Sequence, residues 1–151
     1  MKLTFKNDTF KILQIADTQE GRKVSPDTLA LINAALDREE PDLVVYSGDQ
    51  IWGRGFHGDV NQVRRVLKEL TAPVVERHLP FAICLGNHDR QVGLDNRAQF
   101  ESYKEIPGFI GEDTPGVDGV GNCVLEIADG DRPGYLLYLI DSHSSLKVGY
   151  D

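Results

Sequence analysis

Three short polar clusters close apolar runs in this sequence: Asp17-Thr18-Gln19, Gly48-Asp49-Gln50 and Gly86-Asn87-His88-Asp89. Asp17 and Asp49 offer hard carboxylate oxygens, and Gln19 and Asn87 offer neutral amide oxygens. Such donors suit Mg2+ or Mn2+, and added histidines would also suit Zn2+ or Fe. His88 is the group in these clusters that can pass a proton near neutral pH. Each cluster alone has a plainer explanation. An aspartate after a strand is commonly a cap or loop anchor, and Gly-Asn is ordinary turn chemistry. Together and in order, each at the end of a separate apolar run, they point to one shared site.

The elements that must position them can be read from the same rows. KILQIAD (11–17) reads as a buried strand. SPDTLALINAALDREE (25–40) reads as a helix, with Ser25 as N-cap, Pro26 in the first helical position, and Leu29, Ile32 and Leu36 on one face. DLVVYSGD (42–49) is a second strand. From Asp59 to about Arg77, Val60, Val63, Val66, Leu67 and Leu70 fall at helical spacing, with Pro73 expected to kink or restart the helix. PFAICLGNHD (80–89) is a third strand running into a loop, and 96–105 reads as a short helix. Residues 106–121 are Gly- and Pro-rich loop, and 122–127 and 134–141 read as a hairpin or two neighbouring strands around ADGDRP. The strand–helix–strand–helix–strand order argues for a parallel α/β sheet, in which ligands bind outside the carboxyl ends of the strands.

Composition narrows the function classes. A chain of 151 residues, 40% hydrophobic and 26% charged, suits one domain with a real core. Its net charge of −8 argues against non-specific binding to nucleic acid or anionic membrane. No apolar stretch approaches the length of a membrane span, and MKLTFKNDTF lacks the apolar core of a signal peptide. Cys84 and Cys123 read as small core residues rather than a disulfide framework, and the expected compartment is the cytoplasm. A P-loop or dinucleotide-binding protein is excluded, because neither GxxxxGK[ST] nor a GxGxxG after the first strand is present.

The ordered set D-x-Q, GD and GNHD after β-strands resembles the calcineurin-like metallophosphoesterases. GVGNCVLEI (119–127) and LLYLIDS (136–142) resemble later strands of the branch that includes purple-acid-phosphatase-like and phosphatase-D-like proteins. The resemblance implies an α/β fold, a β-sandwich flanked by helices that opens βαβαβ, and hydrolysis of phosphomono- or diesters. It implies two divalent metal ions, Mn2+ or Mg2+ by preference. Asp49 would bridge them, Asp17 and Gln19 would bind the first, and Asn87 the second, while a bridging hydroxide attacks phosphorus. His88 would bind the phosphate and help protonate the leaving group. Asp89 is the second candidate catalytic residue, orienting the loop or the imidazole.

The sequence departs from the family in two places. Gln19 stands where many members carry His, which favours Mn2+ or Mg2+ over iron. The later His and the GHxH motif that close the family's site are missing. His57, His78 and His143 do not replace them: the first lies in a Gly-rich loop, the second at a helix end, and the third after a strand. The expectation is therefore that residues 1–151 form the N-terminal half of a single metallophosphoesterase domain, an incomplete fold whose half-sheet self-association could cover. The competing expectation is a non-catalytic module of the same fold that binds a protein partner. Arg54 is a weaker candidate for a phosphate oxygen. Trp52 and Phe56 could wall a pocket or pack over the sheet edge, and Asp141 and Ser142 are expected to support a loop.

Overall fold

Each α-helix among the described residues begins where a side-chain oxygen meets otherwise unpaired backbone amides. In the computed structural model, which describes residues 2–53 and 55–144, helix α1 (Pro26–Glu39) follows Ser25, whose side chain accepts from the Asp27 amide at 3.2 Å. Helix α2 (Val60–Glu76) follows Asp59, whose carboxylate accepts from Asn61 and Gln62 at 3.0 and 3.2 Å. Helix α3 (Asn96–Lys104) follows Asp95, which accepts from Ala98 at 2.7 Å. Of the expected kink or restart at Pro73, the restart does not occur: α2 runs through it. Pro73 lies in the last turn of the helix and is buried with Val74, so core packing holds it despite the lost backbone bond.

The strands form two three-stranded sheets. One is parallel, ordered β2 (Ile12–Ile15), β3 (Leu43–Ser47), β4 (Phe81–Cys84), with Ile15 beside Tyr46 and Ser47 beside Cys84. The other is mixed, ordered β1 (Leu3–Thr4), β5 (Cys123–Asp129), β6 (Arg132–Leu139). Strand β1 was not apparent from the sequence, since two residues show no periodicity and gain a strand only by pairing with Ile127 and Ala128. The hairpin is also tighter than expected. ADGDRP is mostly strand, turning at Gly130-Asp131, with an irregularity at Ile127/Ala128 absorbing the change of register.

Strand alternation sorts the core into two layers. Leu43 and Val45 of β3 and Ala82 of β4 face the second sheet and meet Leu3, Cys123, Leu125, Ile127 and Leu139. Val44, Tyr46, Phe81 and Ile83 face the helices and meet Ile32, Leu36, Val63, Leu67, Leu70, Phe100 and Tyr103. The result is sheet on sheet with helices on one side, a partial sandwich of the expected α/β class.

One expectation about burial fails. KILQIAD is not a buried strand: among the described residues β2 pairs with β3 alone, and Ile12 is 38% exposed. Its apolar residues half-cover an edge instead of filling a centre. On the second sheet, Val124, Leu136 and Tyr138 are exposed, as is Ile140 just beyond β6.

Leu67 is fully buried against the parallel sheet, whereas Leu31 on α1 is 71% exposed. Leu67→Ala should therefore lower the unfolding free energy by roughly 2–5 kcal/mol. Leu31→Ala should change it by less than about 0.5 kcal/mol. Urea unfolding followed by circular dichroism reads both, and equal losses would contradict this layering.

Candidate functional site

The hydrogen-bond ladder of the parallel sheet does not stop where the strands stop. The Asp17 amide donates to Gly48 O at 3.0 Å, Gln19 to Asp49 O at 2.9 Å, and Glu20 to Gln50 O at 3.0 Å. The Thr18 hydroxyl donates to Gln50 O at 2.8 Å, and the Trp52 amide returns to Glu20 O at 2.9 Å. Residues 17–20 and 48–52 therefore run zipped together beyond the sheet. Within this zip, Asp17, Gln19 and Asp49 all take left-handed backbone, with φ of 54°, 46° and 53°. Such residues cost roughly 1–3 kcal/mol each and gather where a ligand or mechanism needs an unusual side-chain direction.

A second junction joins this pair to the loop after β4. Asp89 is 1% exposed, and its carboxylate accepts three backbone amides. Oδ2 takes Asp49 N at 2.9 Å and Gly86 N at 2.7 Å, and Oδ1 takes Ile51 N at 3.0 Å. Burial pushes the Asp89 carboxyl above the usual carboxylate range, and the nearby Asp49 charge adds to that, while the three amides oppose it. Asp49 in turn accepts the His88 amide on Oδ1 at 2.8 Å. Glycine is required at position 86, because a methyl group there would run into the Asp49 carboxylate and backbone nitrogen. Gly48, at φ 118°, crosses close to the same point.

The residues picked out in the sequence divide accordingly. The backbone places Asp17, Gln19 and Asp49 side by side, and Asp49 touches the loop that carries Asn87 and His88. Asp17, Gln19 and Asn87 are exposed, Asp49 is buried and His88 half-buried. His88 Nδ1 is buried and lacks a hydrogen-bond partner among the described residues. Asp89 spends its oxygens on amides, so of its two expected orienting roles the geometry matches the loop and not the imidazole. The indole of Trp52 stands edge-to-face with the His88 ring, centroids 6.4 Å apart. Phe56 is buried, and Arg54 lies outside the described residues.

The three remaining histidines are exposed, and His143 Nε2 lies 3.4 Å from Asp118. Asp141 accepts from Val120 and His143 amides at 2.9 and 2.8 Å, the loop-supporting geometry expected of it. Two residues take supporting roles that the sequence reading did not assign them. Gln50 is 1% exposed and its Nε2 donates to Cys84 O at 3.0 Å, tying β3 to β4. Glu20 is buried and accepts the Ser25 amide at 2.8 Å, tying the first cluster to the start of α1. Both lie in or beside a polar cluster that follows an apolar run, but that placement does not say whether the side chain points in or out.

The donors fit a hard divalent cation in type, being two carboxylates and two amides. They do not form a closed set by themselves: among the described residues, no three of His, Cys, Asp and Glu gather closely enough to hold an ion.

A model of the calcineurin-like phosphoesterase family matches residues 10–144. The chain is 32% identical to phosphatase DCR2 of Saccharomyces cerevisiae over 93% of its own length and 28% of that protein's. It is 28% identical to probable inactive purple acid phosphatase 14 of Arabidopsis thaliana, covering 97% of this chain and 43% of the relative. An uncharacterized metallophosphoesterase of Aquifex aeolicus is 26% identical over 88% of this chain and 48% of its own length. The chain thus spans less than half the length of each of these relatives.

Asp89→Asn replaces one acceptor oxygen by an amide that donates, leaving buried amides unpaired. It should cost roughly 1–3 kcal/mol of stability, against less than about 0.5 kcal/mol for Asn87→Ala at an exposed position. Chemical denaturation of the two variants checks this, and equal stability for Asp89→Asn and the unaltered chain would contradict the loop junction.

Proposed function

This chain belongs to the calcineurin-like phosphoesterase family, and on that premise we propose that it carries the oxygen-donor side of a metal-dependent phosphoesterase site. The observation behind this reading is that the three polar clusters meet at one end of one parallel sheet, locked together by backbone and by Asp89. Asp17 and Gln19 would hold one divalent ion, Asn87 a second, and Asp49 would lie between them. Mn2+ or Mg2+ suits these donors, and such ions, when bound, lower the pKa of water and offset charge on phosphoryl oxygens. His88 would hold a phosphoryl oxygen and give a proton to the departing alcohol oxygen. Asp89 would act by position, fixing the loop on which Asn87 and His88 ride.

The second reading is a module of the same fold that binds a partner without catalysis. It is favoured by the shortage of clustered nitrogen and carboxylate ligands among the described residues. The word inactive in the Arabidopsis relative's name lends it weak support. The two free thiols, Cys84 and Cys123, suit a reducing compartment such as the cytoplasm. No helix among the described residues is long and apolar enough to cross a membrane.

A second copy of the chain is our proposed cover for the exposed apolar side chains Val124, Leu136, Tyr138 and Ile140. Light scattering should then return a dimer mass and not the 16.8 kDa of one chain.

Hydrolysis of bis(p-nitrophenyl) phosphate with Mn2+ tests the catalytic reading. Asp49→Asn should lower turnover by roughly 100-fold or more, since metal-ion catalysis is worth several kcal/mol. Turnover that survives Asp49→Asn would sink the assignment. No turnover in either protein would mean that these four oxygen donors do not suffice for the chemistry by themselves, as the missing histidine ligands suggest.

A further inference from the structure

We infer that Trp52 sets leaving-group specificity at this site, favouring phosphoesters whose alcohol carries an aromatic ring. The inference rests on the phosphoesterase reading above and extends it to the substrate class. Of the two aromatic residues on the loop after Asp49, Phe56 is sealed in the core, while Trp52 is 37% exposed. Its indole meets the His88 imidazole edge-to-face, at an interplanar angle of 71°. His88 is the residue assigned to the departing oxygen, so whatever is attached to that oxygen lies within reach of the indole.

The backbone that carries the indole is held in place. The Trp52 amide is bonded to Glu20 O at 2.9 Å, and the next residue, Gly53, presses so closely on the Gln91 backbone that no side chain would fit there. The loop thus presents a large, partly open aromatic surface on an anchored backbone, beside His88. A ring on the leaving group can pack on it in offset or edge geometry. An alkyl group of one carbon cannot reach that contact.

The test uses phosphonates, which occupy a phosphoryl site without turning over. Trp52 is the only tryptophan in the sequence, so its emission reports directly on its own surroundings. With Mn2+ present, phenylphosphonate should quench that emission and bind roughly 2- to 10-fold more tightly than methylphosphonate. Calorimetry should show this preference lost in Trp52→Leu and largely kept in Trp52→Phe, with methylphosphonate affinity the same in all three proteins. Equal binding of the two phosphonates by the unaltered chain, or a preference that persists in Trp52→Leu, would overturn the role of Trp52 and leave the phosphoesterase reading standing. Failure of both phosphonates to bind would remove the two together.

Discussion

A single buried carboxylate governs the geometry of this site. An ionised group withdrawn from water must find donors inside the protein or give up its charge. Asp89 finds three, all backbone amides, from the loop after β3 and from its own loop after β4. The dependence is mutual, because the amides of Asp49 and Ile51 would otherwise be buried without acceptors. Everything nearby inherits its position from this junction. Asp49 is brought to the His88 amide, Gly86 has no room for a side chain, and Trp52 comes to stand against His88.

Charge makes the same region costly. Asp49 and Asp89 lie close enough for one to raise the proton affinity of the other. Three left-handed residues add backbone strain at the same edge. The flanking sheet offsets these costs. β3 is buried from Leu43 to Tyr46 and paired on both sides, and its ladder continues through the strained residues into the loops. The rigid middle of the fold thus carries the unfavourable conformations that its rim requires.

Local chemistry made part of this legible in the sequence. Ser25-Pro26 and Asp59 mark helix starts because capping is a contact between near neighbours. The strands ending at Asp17, Asp49 and Asn87 were legible because each apolar run stops abruptly in polar residues. What stayed hidden depends on contacts between distant parts of the chain. β1 exists through Ile127 and Ala128, the exposure of β2 follows from strand order, and α2 survives Pro73 because Pro73 and Val74 are packed in the core. Asp89 is the clearest case. Its residue type suggested chemistry or a turn, but its role as a junction follows from amides on another loop.

The close fit of Gly53 against Gln91, with the Asp89 junction beneath it, also matters for protein engineering. Segments 48–53 and 86–91 share buried hydrogen bonds and a contact with no free space, so they constitute one cassette. Loop exchange with a homologue that swapped only one of them would pair a new backbone with an old socket. Transplanted together, they would carry their own scaffold with them, and recombination libraries should place crossovers outside the pair.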